Sequence, residues 1–502
     1  MKFDDGQKKL KQARDLLLSQ RLAEALPRYE KLTRQFPNSA VIWFEYGNAA
    51  SGLRDFELAD RAWLKARHLE PRNAELIGLI GHQYQSNRQP EIARACFAQA
   101  AAVAPRDINS RISLAVLLEQ NHQLAPARAA VEECLTIDPR DDQARYFLAV
   151  LDRREGKLAE AEQRLRDLLA TEPRHPYVRY ACRYELAQVC DRTDRFDEAF
   201  RLLADAKAIV RGLTNTDALL KGYDEGADRA RHFTNALPKD ILRVWTEAFP
   251  AGERSTIPPL VFLGGHPRSG TTLIEQVLDA HPSIAALDEP TAFLNVLQPA
   301  FFESRELSSQ RLNALRNSYL AALRQELGAA GVGKILVDKN PSPTARLPIW
   351  LRVFPELRVL IALRDPRDVV LSCYFQNIPL NAINVNFLTL PRLVKHYADL
   401  MDIWLAVRQW DDFAWLETRY EDTVADLGKE GRRVTEFLGL TWHEDQGRFY
   451  EKSQRKQLYS PTYQDVTRPV YARSVARWHA YEPHLAQILP SLEPYCRTFG
   501  YS

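Results

Sequence analysis

A chain of 502 residues, 45% hydrophobic and 26% charged, has the composition of a soluble globular protein, with roughly two to four domains expected from its length. Its 67 basic and 65 acidic residues leave a formal net charge of +2. That balance excludes a global field for nucleic acid or a membrane surface, so any anion site must be local.

The opening run MKFDDGQKKLKQARDLL is charged and has no apolar core, unlike a signal peptide. No stretch approaches the ~18 uninterrupted apolar residues of a membrane span. The six cysteines, Cys96, Cys134, Cys182, Cys190, Cys373 and Cys496, show no metal-ligand spacing. They read as buried free thiols of a reducing compartment, and the expected location is the cytoplasm.

The first half repeats. Prolines stand at 37, 71, 105, 139 and 173, every 34 residues. Alanines stand 12 residues before each, at 25, 59, 93, 127 and 161, and small residues another 12 earlier: Ala13, Gly47, Gly81, Ala115 and Ala149. A small residue on one helix and an alanine on the next let two antiparallel helices approach closely. Proline, which cannot continue a helix, marks the junction to the next unit. Between Val41 and Ala66, Trp43, Tyr46, Leu58, Trp63 and Leu64 fall at spacings that can share buried faces. A slipped sixth copy with Ala187 and Ala199 runs to Leu213 and caps the array.

In period, small-residue phase and terminal proline, residues 6–214 resemble the tetratricopeptide repeat family. The resemblance implies an all-α solenoid with a concave face for a peptide or protein partner; a spacer or dimerisation module is the plainer alternative. Residues 215–255 read as a helical connector, with one helix around Leu219–Tyr223 and another over Asp240–Phe249. Pro258-Pro259 then opens a new domain over 256–502.

That domain begins with the short apolar run Leu260–Leu263, which predicts a buried strand. Gly264-Gly265-His266-Pro267-Arg268-Ser269-Gly270-Thr271-Thr272 follows, then Leu273, Ile274, Val277 and Leu278 at helical spacing. Strand, glycine-rich turn and helix is the layout that gathers backbone N–H groups and a helix dipole around phosphate. Gly265 and Gly270 keep the spacing of a nucleoside-triphosphate loop, but Thr271 stands where that loop needs lysine. A P-loop kinase or NTPase is disfavoured on that ground, and Arg268 can supply the missing charge.

The run Pro267–Thr272, with Leu273 and Asp279-Ala280-His281-Pro282 after it, resembles the 5′-phosphosulfate loop of sulfotransferases that use 3′-phosphoadenosine 5′-phosphosulfate (PAPS). It is most similar to the tyrosylprotein-sulfotransferase-like branch, including bacterial proteins with tetratricopeptide arrays. The fold class expected is therefore an N-terminal tetratricopeptide solenoid plus a C-terminal α/β P-loop-like domain with a mainly parallel sheet.

The resemblance assigns Arg268, Ser269, Gly270, Thr271 and Thr272 to the sulfated end of the nucleotide. A second buried strand, Leu357–Leu363, delivers Arg364, with Ser372 eight residues on. An arginine at a strand end and a serine in the next helix can converge on one phosphate, and in the resembling family such a pair holds the 3′-phosphate. The strand Ile335–Val337 delivers Lys339, a cation where bridging-oxygen charge develops in the transition state. The resemblance makes Lys339 and Arg268 the catalytic cations and Glu289 the base, although Asp288 beside it leaves open which carboxylate faces the site. His266 and His281 are weaker base candidates. Tyr420, after the strand Phe413–Glu417, is implied as a nucleotide contact, Thr462 or Tyr463 as a hydroxyl near the sulfuryl group, and Arg477, where the animal branch has lysine, at the 3′-phosphate end.

The expected reaction moves a sulfuryl group from PAPS in line to an acceptor hydroxyl, of protein tyrosine, a saccharide or a small molecule, leaving adenosine 3′,5′-bisphosphate. No metal, nucleic acid or membrane is required. The alternative is an interaction scaffold whose nucleotide-binding domain is catalytically silent.

Overall fold

The 34-residue period is written into the backbone. In this computed structural model, which describes residues 2–19, 21–249, 259–301, 307–454 and 465–501, the helices Leu22–Gln35, Phe56–Leu69, Pro90–Val103 and Leu124–Ile137 each stop two residues before a repeat proline. Asn73, Asp107 and Asp141, two residues after a repeat proline, cap the next helix by accepting from the amides of Leu76, Ser110 and Ala144.

The turns inside the hairpins repeat as well. Arg54, Arg88, His122 and Gly156 lie 34 residues apart, and all have left-handed φ, at 65°, 58°, 60° and 81°. The amide that follows each of them donates five residues back, Asp55 to Ala50 O, Gln89 to Tyr84 O, Gln123 to Leu118 O and Lys157 to Asp152 O, at 2.8–3.0 Å. This is the Schellman closure of a helix end. It normally takes glycine at the left-handed position, yet three of the four turns use a larger residue.

Side-chain size is matched across each hairpin. A Cβ on Gly47 would stand 2.5 Å from the Trp63 ring, and one on Gly81 2.8 Å from Phe97. Tyr29, Trp63, Phe97, Val131 and Leu165 share one phase of the repeat, and all are fully buried. Leu64 corrects one expectation. It is 43% exposed, because it lies one residue, about 100° of helix rotation, beyond Trp63.

Contacts divide the chain into two compact units, residues 1–168 and 169–502. The hairpin of helices Pro176–Arg192 and Phe196–Leu213, which the repeat pattern places at the end of the array, packs inside the second unit. Lys207, fully buried on its second helix, donates to Phe387 O at 2.7 Å. The connector helices are Thr216–Asn235 and Ile241–Glu247; the boundary expected near residue 255 lies outside the described residues.

The second unit is organised by five parallel strands: β1 (Leu260–Gly265), β2 (Ile284–Asp288), β3 (Ile335–Lys339), β4 (Arg358–Leu363) and β5 (Trp415–Arg419), in the order β2-β3-β1-β4-β5. The strands are apolar at nearly every position because helices cover a parallel sheet on both faces. Val261, Leu263, Val337, Leu360 and Ala362 meet Ile274, Leu278 and Val434 in one such core. β5 starts two residues later than its apolar run suggests. All six cysteines are buried and free. Among the described residues no helix is long and apolar enough to cross a membrane.

Candidate active site

Strand register places the site. The chain leaves β1 toward β2 on one side of the sheet and later crosses to β4 on the other, so a crevice opens at the carboxyl end of β1. Lys339 pairs with Leu263 of β1 and with Asp288 of β2. On the other side Gly265 pairs with Ala362, and Leu363 with Arg419. Adjacent strand ends therefore deliver Asp288-Glu289, Lys339, the glycine-rich loop, Arg364 and Tyr420 in one row.

The loop is tightly held. Gly265 has φ 125°, and a Cβ there would stand 2.3 Å from Ala362 O, so only glycine fits. The Gly265 amide donates to Thr344 Oγ1 at 2.9 Å, and the same hydroxyl lies 2.9 Å from Gly265 O as donor. The Ser269 amide closes the turn on His266 O at 3.1 Å. Gly270, at φ 91°, starts the helix Thr271–Asp279, and a Cβ on it would stand 2.8 Å from the Tyr420 ring. Ser269, Thr271 and Thr272 are buried in the loop and first turn, where amides have no intrahelical acceptor and the dipole favours an anion.

Arg268 and the Arg364–Ser372 pair, about a hundred residues apart in sequence, meet. Arg268 Nε donates to Ser372 Oγ at 3.0 Å, and Arg364 Nη1 donates to Arg268 O at 3.3 Å. The Arg364 guanidinium also lies 4.9 Å from the Tyr420 ring centroid, 3.7 Å from Asp368, and donates to Ser474 O. Burial pushes the Arg268 guanidinium down from its ordinary range, and Arg364 adds to this; the Asp465 carboxylate opposes it.

On the other side Lys339, fully buried, donates to Asp288, and to Glu289 Oε1 at 3.3 Å. Burial pulls its ammonium down, but the Asp288, Glu289 and Glu275 carboxylates outweigh that and raise it overall. The two carboxylates left open by the sequence differ here. Asp288 is enclosed with the lysine, whereas the Glu289 side chain is 37% exposed. Glu289 and Arg268 both hold left-handed φ, 54° and 73°, a conformation that costs non-glycine residues on the order of 1–3 kcal/mol and collects at functional sites.

Some candidates stand apart. His266 is sealed in: its Nδ1 lies 2.8 Å from Pro267 O and its Nε2 2.7 Å from His396 Nδ1, and burial pushes its pKa down to about 4. His281 is tied to Thr441 O and to the Ser283 amide. Arg477 pairs with Asp191 at 2.6 Å. Thr462 and Tyr463 lie outside the described residues. Sequence reading missed Thr344, the buried His396 and Asp191. Thr344 carried a faint signal, five residues after Lys339 in a Pro/Ser turn; nothing local marked the other two.

A glycine-rich loop between strand and helix, flanked by buried cations at neighbouring strand ends, defines an α/β domain built to grip anionic groups. Residues 259–444 match the sulfotransferase family, and residues 10–67, 79–142 and 117–182 match tetratricopeptide repeats. The chain is thus a sulfotransferase-family protein in which tetratricopeptide repeats precede the family domain. It is 25% identical over 266 residues to protein-tyrosine sulfotransferase A of Caenorhabditis elegans, covering 48% of this chain and 67% of that one. It is also 25% identical over 267 residues to protein-tyrosine sulfotransferase 2 of Gallus gallus, covering 48% and 69%. A solved sulfotransferase domain from the Synechococcus PCC 7002 olefin synthase aligns at 19% identity with a TM-score of 0.34, over 49% of this chain and 96% of that one.

Proposed function

We propose that this protein transfers a sulfuryl group from PAPS to an acceptor hydroxyl, with a protein tyrosine as the preferred acceptor class. The observation that carries this reading is the convergence of Arg268, Ser372 and Arg364: two separately encoded clamps face one crevice. Ser269, Gly270, Thr271 and Thr272 receive the 5′-phosphosulfate at the helix N-terminus. Arg364 and Ser372 take the 3′-phosphate, and Tyr420 lies beside the nucleotide. The tyrosine acceptor is suggested by the named relatives.

In the proposed step the acceptor oxygen attacks sulfur in line. A new O–S bond forms as the bond from sulfur to the bridging phosphate oxygen breaks, and its electron pair stays on that oxygen. Lys339 and Arg268 face the charge that develops there. Glu289, the more accessible of the two carboxylates, takes the acceptor proton, while Asp288 stays as the counter-ion that fixes the Lys339 ammonium. The products are a sulfate ester and adenosine 3′,5′-bisphosphate. Among the described residues no group of three His, Cys, Asp or Glu is arranged to hold a metal ion, and this chemistry asks for none.

The proposed division of labour keeps residues 6–214 as the repeat array, with a concave face for a protein partner, 215–255 as connector and 256–502 as the catalytic domain, in the cytoplasm. The direct test is transfer of labelled sulfate from PAPS to acceptor peptides, read by mass spectrometry, beside titrations with adenosine 3′,5′-bisphosphate and ATP. Arg268→Ala should lower turnover by about 10²–10³-fold, the range seen on removing one transition-state donor, with unfolding unchanged. Near-native turnover in that variant, or a preference for ATP, overturns the reading.

A further inference from the structure

Asp191 ends the first helix of the hairpin Pro176–Arg192/Phe196–Leu213, buried and nearly 300 residues before its partners. Its Oδ1 accepts from Arg477 Nε at 3.0 Å and from the Tyr481 hydroxyl at 2.7 Å. Its backbone carbonyl accepts from Arg473 Nη2 at 3.1 Å. One residue thus gathers three side chains from the last 30 positions of the chain.

The stretch between those partners faces the anion clamp. The Ser474 carbonyl accepts from Arg364 Nη2, and Ser474 also hydrogen-bonds Tyr420. The Trp478 amide donates to Asp368 Oδ1 at 2.8 Å, and its indole stacks on Arg367 with 3.9 Å from guanidinium to ring. Ala476, midway, sits at φ 55°. Such a conformation persists in a non-glycine residue only where its surroundings over-determine it, and here the restraints come from both sides. Residues 473–478 are a strap pinned to Asp191 on one edge and to Arg364, Asp368 and Tyr420 on the other.

We propose that Asp191 is a positioning residue for nucleotide binding: it holds the strap so that Arg364 and Tyr420 are pre-set for the anion. A helical hairpin that continues the repeat pattern then serves as one wall of the clamp. Arg477 acts through this strap, held on Asp191. The inference rests on the proposed nucleotide reading of Arg364 and Ser372.

The experiment is calorimetric titration of the full chain with adenosine 3′,5′-bisphosphate, with steady-state turnover alongside. Failure of the unaltered protein to bind would sink the nucleotide reading itself and leave the Asp191 comparison without a baseline, so the two failures are separable. Given binding, Asp191→Asn should raise Kd about tenfold, a difference of about 1.4 kcal/mol. Turnover at saturating donor should change less than about twofold, since loss of uniform binding leaves kcat in place. Arg473→Ala should weaken binding too, and the double variant should bind no worse than Asp191→Asn alone, because both act through one strap. If Asp191→Asn folds poorly, Tyr481→Phe, which removes one bond to the same carboxylate, should still raise Kd by about two- to threefold. An unchanged Kd, a tighter Kd (the carboxylate then being a rival of phosphate for Arg477), or additive single effects would each overturn the proposal.

Discussion

The two units hold themselves together by different means. In residues 1–168 the buried polar side chains are Thr33, Ser110, Glu119, Asp152 and Arg153, and the packing is carried by a recurring large-on-small contact such as Trp63 on Gly47. In residues 169–502 the interior holds charged groups near the crevice: Asp191, Asp288, Lys339, Arg364 and Asp368. Neighbours in the first unit are close in sequence, whereas Arg268 meets Ser372 across 104 positions and Asp191 meets Arg477 across 286. A repeat spreads its stability over many similar joints. A site that binds anions must bury charge, and each buried charge then depends on one partner.

The comparison breaks most readily at Lys339. Lys339→Ala leaves Asp288 enclosed without its cation, and breaking a buried pair from one side costs about 3–5 kcal/mol. Urea unfolding of the second unit should show a loss of that size; a loss below about 1 kcal/mol would mean that Asp288 finds another partner. In the array the corresponding lesion is steric. Gly47→Ala drives a methyl into the Trp63 ring and should cost about 1–3 kcal/mol, read as a lower thermal midpoint with the site's nucleotide affinity unchanged. The smallest effect has the opposite sign. Arg54→Gly relieves the left-handed strain at a repeat turn and, after the added chain entropy of glycine, should stabilise the array by about 0.5 kcal/mol. Destabilisation there would show that the Arg54 side chain contributes more than its backbone strain removes.

What the sequence discloses follows the same divide. The 34-residue register is legible because each unit repeats the same local rules: proline after a helix, an Asx cap, a small residue under a large one. The crevice is legible where one short segment carries its own signal, as in Gly265–Thr272, or Arg364 at the end of an apolar strand. Asp288 and Glu289 are adjacent in sequence and could not be ranked from it. Their difference arises from β2 register, which sets Asp288 against Lys339, and from the left-handed turn at Glu289. Asp191 sits in a helix that reads as one more repeat, and no rule of spacing ties it to residues nearly 300 positions on.

Thr344 carries a mechanical consequence. By bonding both the amide and the carbonyl of Gly265, it fuses the turn after β3 to the turn after β1. The lysine arm and the anion cradle are therefore one rigid jaw, unable to close on each other as separate fingers. Any opening that admits a nucleotide and an acceptor must come from the opposing jaw, the part of the crevice formed by Arg364, Tyr420 and the strap.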